Sequence, residues 1–290
     1  MKKILYKLLV FIPVILIYNL SLSIDNCVAQ WEPTNGPGGG DFRSMTASGS
    51  NLFVGTSNAG IFKTTNNGIS WNAVNNGLPG GTDALVSNQT NIFAHTGGGV
   101  FRTTNNGLIW TQILQNQQAH AIASNNNYLF VGVSGSGIFR STNNGDIWTL
   151  CYSTNLIISS ILIKDNRVFA GTNDNGVLRS TNNGDSWTYF SLGNLSVNIL
   201  ASNNTYLFAT GYDGTANGVY RSSDFGNSWI KIMTNQYVLC LSVSGMNIFT
   251  GGASGVYRST NNGDNWVVVN TGIEMQYINS MAVLGSNIFV

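Results

Sequence analysis

Apolar residues in this chain come in short bursts separated by breaks rich in Asn, Gly and Ser, and the bursts recur in register. One burst reads NLFVGT, NIFAHT, YLFVGV, RVFAGT, YLFATG and NIFTGG in successive copies. The next reads GIFKT, GVFRT, GIFRS, GVLRS, GVYRS and GVYRS. Short runs of β-branched and aromatic residues joined by Asn-Gly turns predict antiparallel hairpins. In the third copy the pattern predicts strands over Ala119–Ser124, Tyr128–Val133, Ile138–Thr142 and Ile147–Cys151. Beyond residue 30 no stretch carries a long helical period.

Each copy also holds one polar phrase: a hydroxyl residue, Asn or Asp at the third position, Gly at the fifth and Trp at the eighth. The copies supply Asn66, Gly68 and Trp71; Asn105, Gly107 and Trp110; Asn143, Gly145 and Trp148; Asn182, Gly184 and Trp187; Asp224, Gly226 and Trp229; Asn261, Gly263 and Trp266. The Gly accepts positive φ, the Asn or Asp and the leading hydroxyl bind turn amides, and the Trp is an apolar anchor that needs a partner for its N–H. The tryptophans are 37 to 42 residues apart. Four antiparallel strands at a period near 40 describe a propeller blade, a small sheet that is stable only against its neighbours. The fold class is therefore all-β: a β-propeller of four-stranded antiparallel blades, six complete plus an incomplete seventh.

The seventh is assembled from both ends. Trp31-EPTNGPGGG matches Trp71-NAVNNGLPGG, a fourth strand with its exit loop, and the segment from Tyr277 reads as a first strand leading into a second at Asn287. A third strand with its turn phrase is missing from the count, so residues 30–290 are expected to be a propeller cut short at the C-terminus.

The first 29 residues break the pattern. Lys2, Lys3 and Lys7 precede an apolar run from Leu8 to Ile17, and Cys27-Val28-Ala29 follows. That describes a secretory signal peptide, with cleavage expected after Ala29 and an exported product, extracellular or on the cell surface. The run is short for a membrane span and contains Pro13, so no stable span is expected after cleavage. Of the 290 residues only 9% are charged, and the formal net charge is +1. With no basic stripe, nucleic acid is excluded as a partner. Cys151 and Cys240 lie at different phases of the repeat and are expected as buried free thiols. His95 and His120, the only histidines, have no companion at ligand spacing, so neither a metal nor a cofactor is expected.

The repeated phrase resembles the Asp-box, or BNR repeat, Ser/Thr-x-Asp-x-Gly-x-Ser/Thr-Trp, over nearly all of residues 31–290. Five copies replace the acid by Asn, which keeps the capping geometry and removes the charge. The resemblance implies boxes on the hairpins between third and fourth strands, away from the ligand face. It extends to sialidases, xyloglucan-cleaving glycosidases, and photosystem II stability-factor-like, sortilin-type and bacterial secreted propellers. A sialidase site implies three converging arginines. Arg102, Arg140, Arg179, Arg221 and Arg258 occupy one repeated position, with Lys63 as the sixth equivalent, so they point the same way in six different blades and cannot converge on one substrate. Arg43 and Arg167 are too few to replace them. The xyloglucan-cleaving type implies paired aspartates, for which Asp174 and Asp213 are candidates in equivalent loops.

These observations point to a secreted noncatalytic binding or scaffold module for a glycan or protein ligand, with a glycoside hydrolase as the alternative. The face opposite the boxes offers Tyr152, Asp174, Tyr212, Asp213, Tyr237, Glu274 and Tyr277 as candidate ligand residues.

Overall fold

The computed structural model describes residues 6–9, 30–37, 41–88, 90–115, 119–173, 176–191, 195–234, 236–273 and 277–290; for residues 6–9, 30 and 191 it describes backbone only. Among them are strands and turns and no helix. The strands form seven antiparallel sheets of four. Blades 1 to 6 span residues 42–73, 82–114, 119–153, 158–191, 196–234 and 238–268, each a meander with its strands in chain order. In blade 3 the strands are Ala119–Ser124, Leu129–Val133, Gly137–Ser141 and Thr149–Ser153. The fourth begins after Trp148, because the phrase occupies the turn up to its tryptophan.

The cores lie in the seams between blades. Phe53, Ile61 and Val74 of blade 1 cluster with Leu85, Ile92, Ala94, Phe101 and Trp110 of blade 2. The cluster of Phe42, Met45, Leu52 and Val54 with Ala282 and Phe289 joins blade 1 to blade 7 and closes the ring. One phenylalanine near the start of each second strand, from Phe53 to Phe289, is almost fully buried. Every second strand thus feeds its aromatic ring into a seam, and no blade has a complete core of its own.

First strands of blades 1 to 6 open with a register shift. The residue ahead of the shift meets the preceding blade. A Cβ placed on Gly132 would lie 2.6 Å from Ile158 Cβ, and one on Gly171 would lie 2.7 Å from Val197 Cγ1. Blade 2 carries His95 at this position, and the next blade opens with the small Ala119. His95 is buried, its Nδ1 4.0 Å from Asp83 Oδ2, and burial pushes its pKa down.

The seventh sheet is composite. Its order is Gln30–Pro33, Tyr6–Leu9, Asn287–Phe289, Ala282–Leu284. The first strand is shorter than the sequence suggests, because the Ile278 N–H is drawn to the Gly252 carbonyl of blade 6 at 3.1 Å. The third-strand place, for which the repeat count found no segment, is taken by Tyr6–Leu9 from the segment read as a leader. Its backbone follows third-strand register. Lys7 pairs with Phe289 and Glu32, as Lys63 pairs with Phe53 and Asn72 and as Arg102 pairs with Phe93 and Thr111. Leu8, opposite Ile288, takes the place at which the six phrases carry Thr or Ser. The remainder of residues 1–29 lies outside the described residues.

Candidate functional site

The six phrases form the turns between third and fourth strands, all at one end of the ring. Each is a closed hydrogen-bond unit. In blade 3, Ser141 Oγ donates to Asn143 Oδ1 (2.8 Å) and accepts from Gly145 N (2.8 Å), while Asn143 Oδ1 accepts from Ile147 N (2.9 Å). Asp224 does the same in blade 5, and Ser228 also donates from N and Oγ to it. Those Ser228 bonds bring the Asp224 carboxyl down to about 2. Two successive residues are left-handed: Asn144 at φ 58° and Gly145 at φ 96°. A Cβ on Gly145 would also sit 2.3 Å from Ile113 Cδ1 of blade 2, so glycine is needed for approach as well as dihedral.

Two side chains carry each turn across a seam. Trp110, Trp148 and Trp266 donate their indole N–H to the carbonyls of Val74, Ile113 and Ile232 in the preceding blade, and Trp31 donates to Val269. Trp187 and Trp229 donate within their own turns. Trp71 Nε1 is buried with no acceptor among the described residues.

The repeated basic residue works in the other direction. Arg102 Nη1 donates to the Asn144 carbonyl (2.9 Å) and Asp146 Oδ1 (2.8 Å). Arg140 reaches Asn183 and Asp185, Arg179 reaches Phe225 and Asn227, and Arg221 reaches Asn262 and Asp264 in the same way. The carbonyl in each case belongs to the left-handed residue of the next phrase. Lys63 reaches only the Asn106 carbonyl, 3.2 Å, because Leu108 stands where the phrases of blades 3 to 6 place Asp or Asn. Arg258 differs: its Nη2 turns back to Asn247 Oδ1 of its own blade at 3.1 Å. All six basic residues are therefore committed to the scaffold, as their shared position suggests, and none converges on a substrate.

The opposite end carries the candidate ligand residues. Tyr212, Tyr237 and Tyr277 are exposed, at 44%, 57% and 61%. Tyr237 and Tyr277 flank one turn: a Cβ on Gly252 would collide with the Tyr237 carbonyl, and the Ile278 N–H binds the Gly252 carbonyl. Tyr212 ends the second strand of the adjoining blade 5. Three phenols thus share one sector of the rim. Tyr152 is half-buried, its ring 6.0 Å from Trp187 in the seam between blades 3 and 4. Asp174 and Glu274 lie outside the described residues.

Asp213 has a full set of partners that the sequence did not reveal. Lys231 Nζ (2.8 Å) and the Tyr220 hydroxyl (3.0 Å) donate to Oδ2, while Thr215 and Ala216 N–H groups donate to Oδ1. The Lys231 ammonium first, then these amides, hold the carboxyl well below the usual carboxylate range. An aspartate so fixed stays ionised and cannot donate a proton near neutral pH. No group of three His, Cys, Asp or Glu among the described residues can hold a metal. Cys151 and Cys240 are free thiols.

A cavity of about 500 Å³ lies at the phrase end, among the first-to-second-strand turns of blades 1 to 3. Its lining includes Ser48, Ser87, Asn88 and Asn125 to Asn127 and carries no charge. Asn88 is already occupied, donating to Asn144 Oδ1 (3.0 Å) and accepting from the Asn91 amide.

No family model and no curated protein matches the chain. Solved structures do. A xyloglucanase of the GH74 type from Xanthomonas campestris is similar at TM-score 0.68 and 12% identity, over 85% of this chain and 49% of that one. YCF48 bound to a D1 peptide is similar at TM-score 0.69 and 12% identity, over 86% of this chain and 92% of that one. The extracellular domain of a two-component sensor from B. thetaiotaomicron is similar at TM-score 0.56 and 16% identity, over 87% and 38%. The chain thus spans about half the length of the GH74 enzyme. These likenesses bear on the β-propeller fold. Among the described residues no helix is long and apolar enough to cross a membrane.

Proposed function

We propose that the chain is an exported, noncatalytic propeller of the Asp-box type that binds a protein or glycan ligand on the rim bearing Tyr212, Tyr237 and Tyr277. Residues 1–29 serve as its export leader. The observation that carries this reading is a division of labour among the polar side chains. The arginines and Asp213 are spent on structural bonds, whereas the three tyrosines stand exposed in one sector with their rings free to stack on a sugar or a peptide. The YCF48 complex with a peptide and the extracellular sensor domain support a binding module.

The test is a binding screen of the full chain against glycans and extended peptides, repeated with Tyr237→Ser/Tyr277→Ser. The expected result is a ligand lost on that double substitution, with no turnover of xyloglucan or sialosides. Turnover of xyloglucan that disappears in Asp174→Ala would establish the glycosidase instead, in line with the GH74 likeness.

A further inference from the structure

The cavity at the phrase end touches the first-to-second-strand turns of blades 1 to 3. One position in these turns recurs around the ring, two residues beyond the partner of the seam phenylalanine. Ser48, Asn88, Asn125, Lys164 and Asn203 hold it in blades 1 to 5. Three of these side chains donate across a seam to the next blade. Asn88 Nδ2 reaches Asn144 Oδ1 (3.0 Å) and the Asn125 carbonyl (3.4 Å). Asn203 Nδ2 reaches Asn262 Oδ1 (2.7 Å) and the Gly245 carbonyl (2.9 Å). Lys164 Nζ reaches the carbonyls of Asn203 and Asn204.

Asn125, on the cavity wall, breaks this rule. Its Oδ1 is fixed by its own turn, accepting from the N–H groups of Asn127 (3.0 Å) and Tyr128 (2.8 Å). Its Nδ2 is left without an acceptor among the described residues. An independent sign stands beside it. Ser87 Oγ donates to the Ala47 carbonyl of blade 1 at 2.6 Å, whereas Ser124, its equivalent in blade 3, has a buried Oγ with no partner. Gly49, Asn126 and Asn127 are exposed at the edge, so the cavity opens to solvent.

We propose that this cavity is a binding site for a neutral mono- or disaccharide, with the Asn125 amide donating to a sugar oxygen. The wall offers amide donors, amide and hydroxyl acceptors and no charge. A charged ligand would give up its hydration with no counter-charge to meet it, and an apolar one would leave the amides unpaired. Sugar hydroxyls both donate and accept, so they suit both kinds of wall group. The volume of about 500 Å³ lies within the range of small-molecule sites, about 300–1,000 Å³. The proposal does not depend on the tyrosine rim, which lies at the other end of the ring.

The test titrates the full chain with glucose, galactose, maltose and cellobiose to tens of millimolar and follows backbone and Asn side-chain amides by NMR. At least one sugar should shift the Asn125 side-chain amide saturably, together with the backbone amides of Ser48 and Asn88. Glucuronate should bind about tenfold or more weakly than glucose or galactose, since no counter-charge lines the wall. Asn125→Asp keeps the oxygen that holds the turn and removes the donor. Ser48→Leu narrows the cavity with the residue that blade 7 carries at the same place, Leu284. Each variant should weaken binding about tenfold or more with its thermal melt unchanged, and Tyr237→Ser/Tyr277→Ser should leave binding as it was. Absence of any saturable shift, glucuronate bound as tightly as the neutral sugars, or undiminished affinity in either cavity variant would overturn the proposal. Shifts confined to the tyrosine rim would also overturn it, in favour of the rim as the sugar site. Failure of the rim to bind any ligand would leave these outcomes unaffected.

Discussion

Arg102 of blade 2 meets Asp146 of blade 3 across the seam at 2.8 Å, with the arginine largely covered and the aspartate largely in solvent. Exposed pairs of this kind stabilise by about 0.2–1 kcal/mol, so Asp146→Ala should cost no more than that and less at high salt. Arg102→Ala should cost about 1–2 kcal/mol, because it also removes the donor to the Asn144 carbonyl and the packing of the stem. A double-mutant cycle by urea unfolding separates the two contributions.

Asp224 is the one acid among six phrase positions otherwise filled by Asn. Its carboxyl falls to about 2 in the fold, below its ordinary 3.8. A depressed carboxyl adds stability above the unfolded value and loses it as pH falls through the folded one. Asp224→Asn should change stability by less than about 0.5 kcal/mol at pH 7. It should also flatten the loss of stability between about pH 4 and pH 2, read from thermal melts across that range.

Phe225 sits at φ 56°, where the other five phrases have Asn. A bulky residue is costly in the left-handed region, whereas Asn tolerates it. The Phe225 ring lies under the Arg167 guanidinium, 4.3 Å from ring centroid to Cζ, which offsets part of that cost. Phe225→Asn should therefore raise stability by about 0.5–1 kcal/mol, seen as a higher urea midpoint at constant slope.

Burial drives the Cys240 thiol well above its ordinary pKa and raises that of Cys151 less far. Thiolate is the reactive form, so both should resist alkylation at pH 8, Cys240 the more strongly. Mass spectrometry after timed iodoacetamide treatment should show Cys240 modified only under denaturing conditions.

Much of this architecture was written in the short-range pattern. The period of apolar bursts fixed the blades, and the Asn and hydroxyl spacing fixed the turn, because both act over a few residues. What stayed hidden acts over longer distances. The arginines were legible as residues that cannot converge, but their acceptors lie 41 to 48 residues further on in the sequence. Lys231 is 18 residues from Asp213, so the loop acid read as a catalytic candidate until its partner was in view. The left-handed Asn before the phrase Gly in five of the six copies was readable in principle from the repeated Asn-Asn-Gly. The strand at Tyr6–Leu9 was obscured because a basic start followed by apolar residues suits a leader and a sheet equally well.

The clamps also give the ring a direction of growth. Lys63, Arg102, Arg140, Arg179 and Arg221 each grip a turn made later in the sequence. A chain leaving the ribosome N-terminus first therefore carries one basic side chain whose acceptor is still to be synthesised, and each new blade settles that debt while creating the next. Shortening the chain from its C-terminal end, blade by blade, would always move the ungripped residue back to the last blade present.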